Sequence, residues 1–281
     1  MSKRYFLIFI LLIICTVSVT ATFFLDHGTT TSTTSYFNQQ QLAKINKSST
    51  SYSFVVYGDN RDSKGRFNKM LLDINKKNVI FSMANGDLVS EGSKTELYDF
   101  IKQTRISKIP TLTVIGNHEL YPGKGSLYYK QIFGPTYYSF AMKNSYFIVL
   151  DDSNNIGLGN TQKLWLINEL KKSQKYKYRF IFFHTPLYDP RKGKYVQGHS
   201  LTNLKNAQDM NNLFDKYNVT MIFSSHIHGY FTGKWHKTPY IITGGAGVDL
   251  AGTNPQNFFF NYVIVHVNGN KVSYQVVKYP I

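Results

Sequence analysis

Six residues with metal-binding side chains follow short apolar runs in this chain. In order, the runs read FVVYGD ending at Asp59, VIFSMANGD at Asp87, TLTVIGN at Asn117, YRFIFFH at His184 and MIFSSHIH carrying His226 and His228. Carboxylate oxygen, amide oxygen and imidazole nitrogen suit hard-to-borderline divalent ions such as Mn, Fe, Zn or Ni. Taken singly, each residue has an ordinary reading. Asp59 and Asp87 could cap helices, Asn117 after a glycine could form a turn, and His184 could bond to buried backbone. The pair His226 and His228 is harder to set aside, because alternate residues of a strand share a face. Taken together, donors at the ends of successive runs point to a preassembled metal centre.

Each run is short, rich in β-branched and aromatic residues, and closed by Gly, Asn or Ser, as buried strands are. Helical patterns separate them: FNKMLLDINKK, TELYDFIKQTR, TQKLWLINELKK and AQDMNNLFDKY. The first part therefore reads β-α-β-α-β. YYSFAM and YFIVLDD look like a hairpin around Lys143 and Asn144, and a polar loop runs from Leu187 to Asn206. YIITGG, NYVIVHV and KVSYQVVKY close the chain as strands, the last two joined at Asn268-Gly269-Asn270. The pattern implies an α/β fold of two packed mixed β-sheets flanked by helices, a four-layer α/β/β/α sandwich. In open α/β sheets, chemistry gathers outside the carboxyl ends of the strands, where these donors lie.

The chain has 281 residues with a net charge of +16, which favours phosphorylated or otherwise anionic partners. The basic residues are scattered, and no specific nucleic-acid partner is predicted. The single cysteine, Cys15, excludes a cysteine-type zinc site and any disulfide in the rest of the chain. Lys3 and Arg4 precede an uncharged run from Tyr5 to Leu25. Residues 1–25 thus read as a membrane anchor or as a signal peptide cut after Ala21, either of which puts the remainder outside the cytoplasm. Residues 26–51 include TTTSTTS and read as a Ser/Thr-rich tether with little structure of its own, leaving 52–281 as the folded domain.

The ordered set GD at 58–59, GD at 86–87, GNHE at 116–119, His184 with Pro186, and HIH at 226–228 resembles the calcineurin-like metallophosphoesterases. The resemblance runs from about Tyr52 to the C-terminus and takes in TQKLWLINEL and PYIITGGAG. It implies two divalent metal ions and hydrolysis of phosphomonoesters or phosphodiesters, carried on small molecules or polymers, by in-line attack of a hydroxide held between the ions. It assigns Asp87 as the bridging ligand, Asp59 and His228 to the first ion, and Asn117, His184 and His226 to the second. Asn117 would also lie against substrate. His118 would face the substrate as the catalytic histidine, and Glu119 would support the loop.

This chain departs from the family pattern twice. Family members often carry histidine where Arg61 stands, and an arginine cannot ligate a metal. Its planar fork suits phosphate instead, so Arg61 is a candidate substrate-binding residue. Ser90 stands where the phosphoprotein phosphatase branch has an aspartate beside the catalytic histidine. The pattern leans to the purple-acid-phosphatase-like branch and leaves nothing in sequence to orient His118. The competing reading is a non-catalytic module whose degraded first site binds anionic partners. Outside the motifs, Asp151 and Asp152 are expected to bond loop amides. His199, His236 and His266 are expected to lie outside the site.

Overall fold

The computed structural model describes residues 35–279 apart from 62, 122, 124 and 125. The apolar run 5–25, with its anchor and signal readings, lies outside the described residues. No helix among the described residues is long and apolar enough to cross a membrane.

The first sheet has five strands. It runs β11 (Lys271–Lys278), β10 (Asn261–Asn268), β1 (Ser51–Tyr57), β2 (Ser82–Asn85) and β3 (Thr111–Val114). β1, β2 and β3 are parallel, and β10 pairs antiparallel with β1. The second sheet has six strands, in the order β4 (Tyr138–Met142), β5 (Ser145–Val149), β6 (Tyr178–Phe182), β7 (Met221–Ser224), β9 (Thr238–Thr243) and β8 (Tyr230–Trp235). Here β5, β6, β7 and β9 are parallel.

Side-chain alternation along the central strands builds three separate cores. In β1, Phe54 and Val56 enter the core between the sheets, while Val55 and Tyr57 face the helices. In β6, Phe180 and Phe182 point between the sheets and Ile181 points to the opposite side. Both faces are covered, so these strands read as continuous apolar runs. Helices α2 (Lys64–Ile74), α3 (Lys94–Thr104) and α4 (Leu127–Phe133) cover the first sheet through Phe67, Phe100 and Phe133. Helices α5 (Asn160–Lys172) and α6 (Leu204–Lys216) cover the second through Leu166, Leu170, Met210 and Phe214. The expected four-layer α/β/β/α sandwich is the observed architecture. Its central layer is largely phenylalanine: the Phe54 ring stacks on Phe81 at 5.1 Å and meets Phe147, Phe180, Phe182 and Phe223 edge-on.

The stretch expected to be a bare tether contains a helix, α1 (Phe37–Lys44). Its Phe37 packs edge-on against Phe133 with centroids 5.4 Å apart. The Asn38 side chain accepts from the Thr113 N–H and donates to Thr113 Oγ1, both at 3.0 Å. The physical reason is the sheet edge. β3 is an outer strand with unpaired backbone groups, and α1 covers it. Helical structure is therefore present from Phe37, ahead of the expected boundary at 52. The hairpins β4–β5 and β10–β11 turn where the sequence indicates. Strand β8 and helix α4 had no expectation attached to them.

Candidate metal centre

The carboxyl ends of β1, β2 and β3 meet those of β6 and β7 at one end of the sandwich, and side chains tie them together. Asn85, at the end of β2, donates from Nδ2 to the Phe183 carbonyl at 3.0 Å in the opposite sheet. Its own carbonyl accepts from His184 Nδ1 at 3.0 Å. Asp59, after β1, accepts from the His226 N–H through Oδ2 at 2.8 Å. Asp59, Asp87 and His226 all have positive φ, at 60°, 52° and 65°. Such backbone costs a residue with a Cβ on the order of 1 kcal/mol, and it turns each side chain sharply out of its strand. Gly86 and Gly116, which precede Asp87 and Asn117, are required by close approach. A Cβ on Gly86 would sit 2.4 Å from His184 Nδ1, and one on Gly116 2.3 Å from the Asp87 nitrogen.

These constraints bring five of the six expected ligands together in two groups that share Asp87, and the sixth, Asn117, follows the end of β3. Donor atoms of Asp87, His184 and His226 lie within 4.8 Å of one another, as do those of Asp59, Asp87 and His228. His184 Nε2 is 3.2 Å from Asp87 Oδ1 and 3.2 Å from His226 Nδ1. Asp59 Oδ1 and Asn117 Oδ1 are buried with no hydrogen-bond partner. A buried acceptor left without a donor is costly. Converging acceptors of this kind fit a bound cation.

The electrostatics have the same sense. Burial opposes charge on His184, yet the Asp87 carboxylate beside it, helped by Asp59, pushes its pKa up to about 10. Burial also works against Asp87, but His184 holds it below the usual carboxylate range. Burial raises Asp59 well above that range. His226 is pushed down to about 2 by burial and by His184, and His228 to about 4 by burial and by Arg61.

Glu119 supports the loops as expected. Its carboxylate, 1 % exposed, accepts from the N–H groups of Gly116 at 2.6 Å, Leu88 at 2.8 Å, Asp87 at 3.1 Å and Val89 at 3.2 Å. Asp152 accepts from the His184 and Thr185 N–H groups, and Asp151 from that of Ser153, so both bond loop amides. His118 sits with its N–H on Asp87 Oδ1 at 3.1 Å and its Nε2 3.8 Å from Asp87 Oδ2. Its orientation, which no side chain explained, comes from backbone: Nδ1 donates to the Ser90 carbonyl at 2.7 Å. Arg61 reaches into the site, with Nη1 2.7 Å from His118 Nε2 and Nη2 3.1 Å from His228 Nε2.

One residue was wrongly left out of the site. His199 stacks on His226 with ring centroids 4.0 Å apart and planes 6° apart. The loop from Leu187 to Asn206 delivers it. Buried Asp189 accepts from Arg191 Nε and Nη2 at 2.9 and 2.8 Å and from the His199 N–H at 2.8 Å. No motif signals this. His236, stacked on Tyr195, and His266, bonded to Ser53, take no part in the site.

Two packed mixed sheets with donor residues on both sets of strand ends define a metallophosphoesterase-type scaffold. Residues 52–230 match the Calcineurin-like phosphoesterase family, and the chain belongs to it. Plant phosphatases are among the proteins it is similar to. It is 28% identical to purple acid phosphatase 23 of Arabidopsis thaliana over 142 residues, 44% of this chain and 29% of that one. It is 22% identical to phosphoenolpyruvate phosphatase of Allium cepa over 204 residues, 64% of this chain and 41% of that one. The chain therefore spans less than half the length of these curated relatives. Among solved structures, a purple acid phosphatase from yellow lupin (Lupinus luteus) seeds superposes with a TM-score of 0.67 at 18% identity. That match covers 81% of this chain and 51% of the lupin chain and is a likeness of fold.

Proposed function

We propose that this protein is a metal-dependent phosphoric ester hydrolase acting outside the cytoplasm, on phosphomonoesters first and phosphodiesters second. One observation carries the reading: two donor groups sharing Asp87, with the buried oxygens Asp59 Oδ1 and Asn117 Oδ1 lacking any protein partner. Asp87, Asn117, His184 and His226 would hold one divalent ion, and Asp59, Asp87 and His228 form the neighbouring group. Mn, Fe, Zn and Ni all suit these donors. A divalent ion bound there supplies Lewis acidity, polarising a phosphoryl oxygen and acidifying water. The chain's own residues do the rest. His118, fixed by the Ser90 carbonyl, holds Nε2 at the site beside Arg61 Nη1, where it would face the substrate. Arg61, 16% exposed at its side chain, would meet phosphate oxygens with the N–H groups that its two imidazole contacts leave over. Asn117 and the His199–His226 stack line the approach.

Work outside the cytoplasm, with membrane attachment or secretion, rests on Lys3, Arg4 and the uncharged run that follows them. The test of activity uses the full chain in mild detergent, loaded with manganese, on a chromogenic phosphomonoester and its diester. Metal-dependent release from wild type that is lost in Asp87→Asn supports the hydrolase, and the faster substrate names the class. Folded, metal-loaded protein that releases nothing from either ester refutes it. That result would favour a module that binds anionic partners without turning them over.

A further inference from the structure

We propose that the Arg61 guanidinium takes the position of the first ion, so that this protein holds one divalent ion and one arginine where a two-ion centre would have two metals. The inference rests on the metal-centre reading above and narrows it. It starts from the lone pairs on two imidazoles. His228 donates from Nδ1 to the Asp249 carbonyl at 2.9 Å, and His118 donates from Nδ1 to the Ser90 carbonyl at 2.7 Å. Each ring therefore has its hydrogen on Nδ1 and a single lone pair on Nε2. Arg61 takes both, with Nη2 3.1 Å from His228 Nε2 and Nη1 2.7 Å from His118 Nε2. One lone pair serves an N–H or a metal ion, never both. A metal on His228 must displace the arginine.

The arginine is held where it is. Its backbone N–H donates to the Asp87 carbonyl at 3.2 Å, tying it to the loop of the shared ligand. Its Nε is buried without a hydrogen-bond partner and lies 3.9 Å from Asp87 Oδ2. The Nε edge of the guanidinium is thus the side nearest the Asp87 oxygen that the other group leaves over. Asp87 Oδ1 is the one near His184. An arginine stays protonated at any working pH, so the first group already carries its counter-charge. The donors left to a first ion are Asp59 Oδ1, Asp87 Oδ2 and His228 Nε2. The last lies 3.8 Å from Asp59 Oδ1 and is already bonded. The other group has no such occupant: the contacts of His184 Nε2 and His226 Nδ1 are to Asp87 and to each other.

The test counts ions. Full-length wild type, Arg61→Ala, Arg61→His and Asp87→Asn are stripped with chelator, equilibrated with manganese, freed of unbound metal and assayed by elemental analysis. Far-ultraviolet circular dichroism checks that each is folded. Manganese electron paramagnetic resonance then separates an isolated ion from a coupled pair. The expected result is one ion with an isolated-ion spectrum in wild type. Arg61→His is expected to hold two with a coupled spectrum, and Arg61→Ala to gain at least part of the second. Two ions in wild type overturn the proposal. One ion in wild type and still one in both folded Arg61 variants also overturns it, because something other than the arginine then excludes the second. No ion in any folded protein sinks the metal-centre reading itself, a different failure from the other two.

Discussion

Glu119 offers a sharp test of how the site is built, because it has no proposed chemical role and a heavy structural one. Each of its two oxygens accepts two backbone N–H groups: Oε1 from Leu88 and Val89, Oε2 from Asp87 and Gly116. Glu119→Gln keeps the shape but turns one oxygen into an NH₂ group. That end becomes a donor facing two donors, so two charge-assisted bonds are lost, each worth about 1.5–3 kcal/mol. A partial offset arises because the carboxyl of Glu119 is already strained. Burial, then the neighbouring Asp87, raises its pKa to about 7, and the neutral amide escapes that penalty. The lower end of the range, about 3 kcal/mol, is therefore the expected loss. For a domain of this size each kcal/mol moves the melting temperature by about 2–4 °C, so the variant should melt about 6–12 °C early. Thermal unfolding followed by circular dichroism, with chelator present so that bound metal cannot mask the change, is the assay. Exposed Glu91→Gln, nearby in the chain, serves as the control and should be neutral. Because Glu119 ties the Asp87 loop to the Asn117 loop, metal affinity should also fall by about 10–100-fold, as when a partner behind a ligand is removed. A Glu119→Gln protein melting within about 2 °C of wild type would refute the account of four amides held by one carboxylate.

Three further outcomes are expected. Phe54→Ala empties the centre of the aromatic layer between the sheets and should cost about 3–5 kcal/mol in urea unfolding; a loss below about 1 kcal/mol would mean the layer repacks freely. Asn38→Ala leaves the Thr113 N–H on the sheet edge without its partner, the hydroxyl keeping Tyr129, and should cost about 1–3 kcal/mol. A chain starting at Ser51 should lose more than that relative to one starting at Ser35, and equal stability of the two would show α1 to be dispensable. Asp189 is buried, which opposes its charge, but Arg191 and the His199 N–H win and hold its pKa down to about 2, below the unfolded value of about 3.9. Its stabilisation is therefore fully present above about pH 4 and lost as pH falls towards 2. Melting temperature against pH should drop more steeply over that interval in wild type than in Asp189→Asn, and parallel curves would contradict the assignment.

That these candidate ligands follow strand ends was readable in sequence for a physical reason: each donor follows a strand buried on both faces, so local apolar pattern and position coincide at Asp59, Asp87, Asn117, His184 and His226. Helix α1 was not readable, because FNQQQLAK has few apolar residues and gains its order only from Phe133 and the edge of β3, both distant in the chain. His199 was missed for the same reason, since nothing local shows that Asp189 folds its loop onto His226. Ser90 is a subtler case. Its side chain was the wrong thing to inspect, because the group that orients His118 is its carbonyl. The same holds for His184 on the Asn85 carbonyl and His228 on that of Asp249. Every residue carries a carbonyl, so residue type says nothing about which one will hold an imidazole. The identity of a ligand can thus be legible while its tautomer is not. It is the tautomer of His228, set by backbone, that makes a metal and Arg61 rivals for one lone pair.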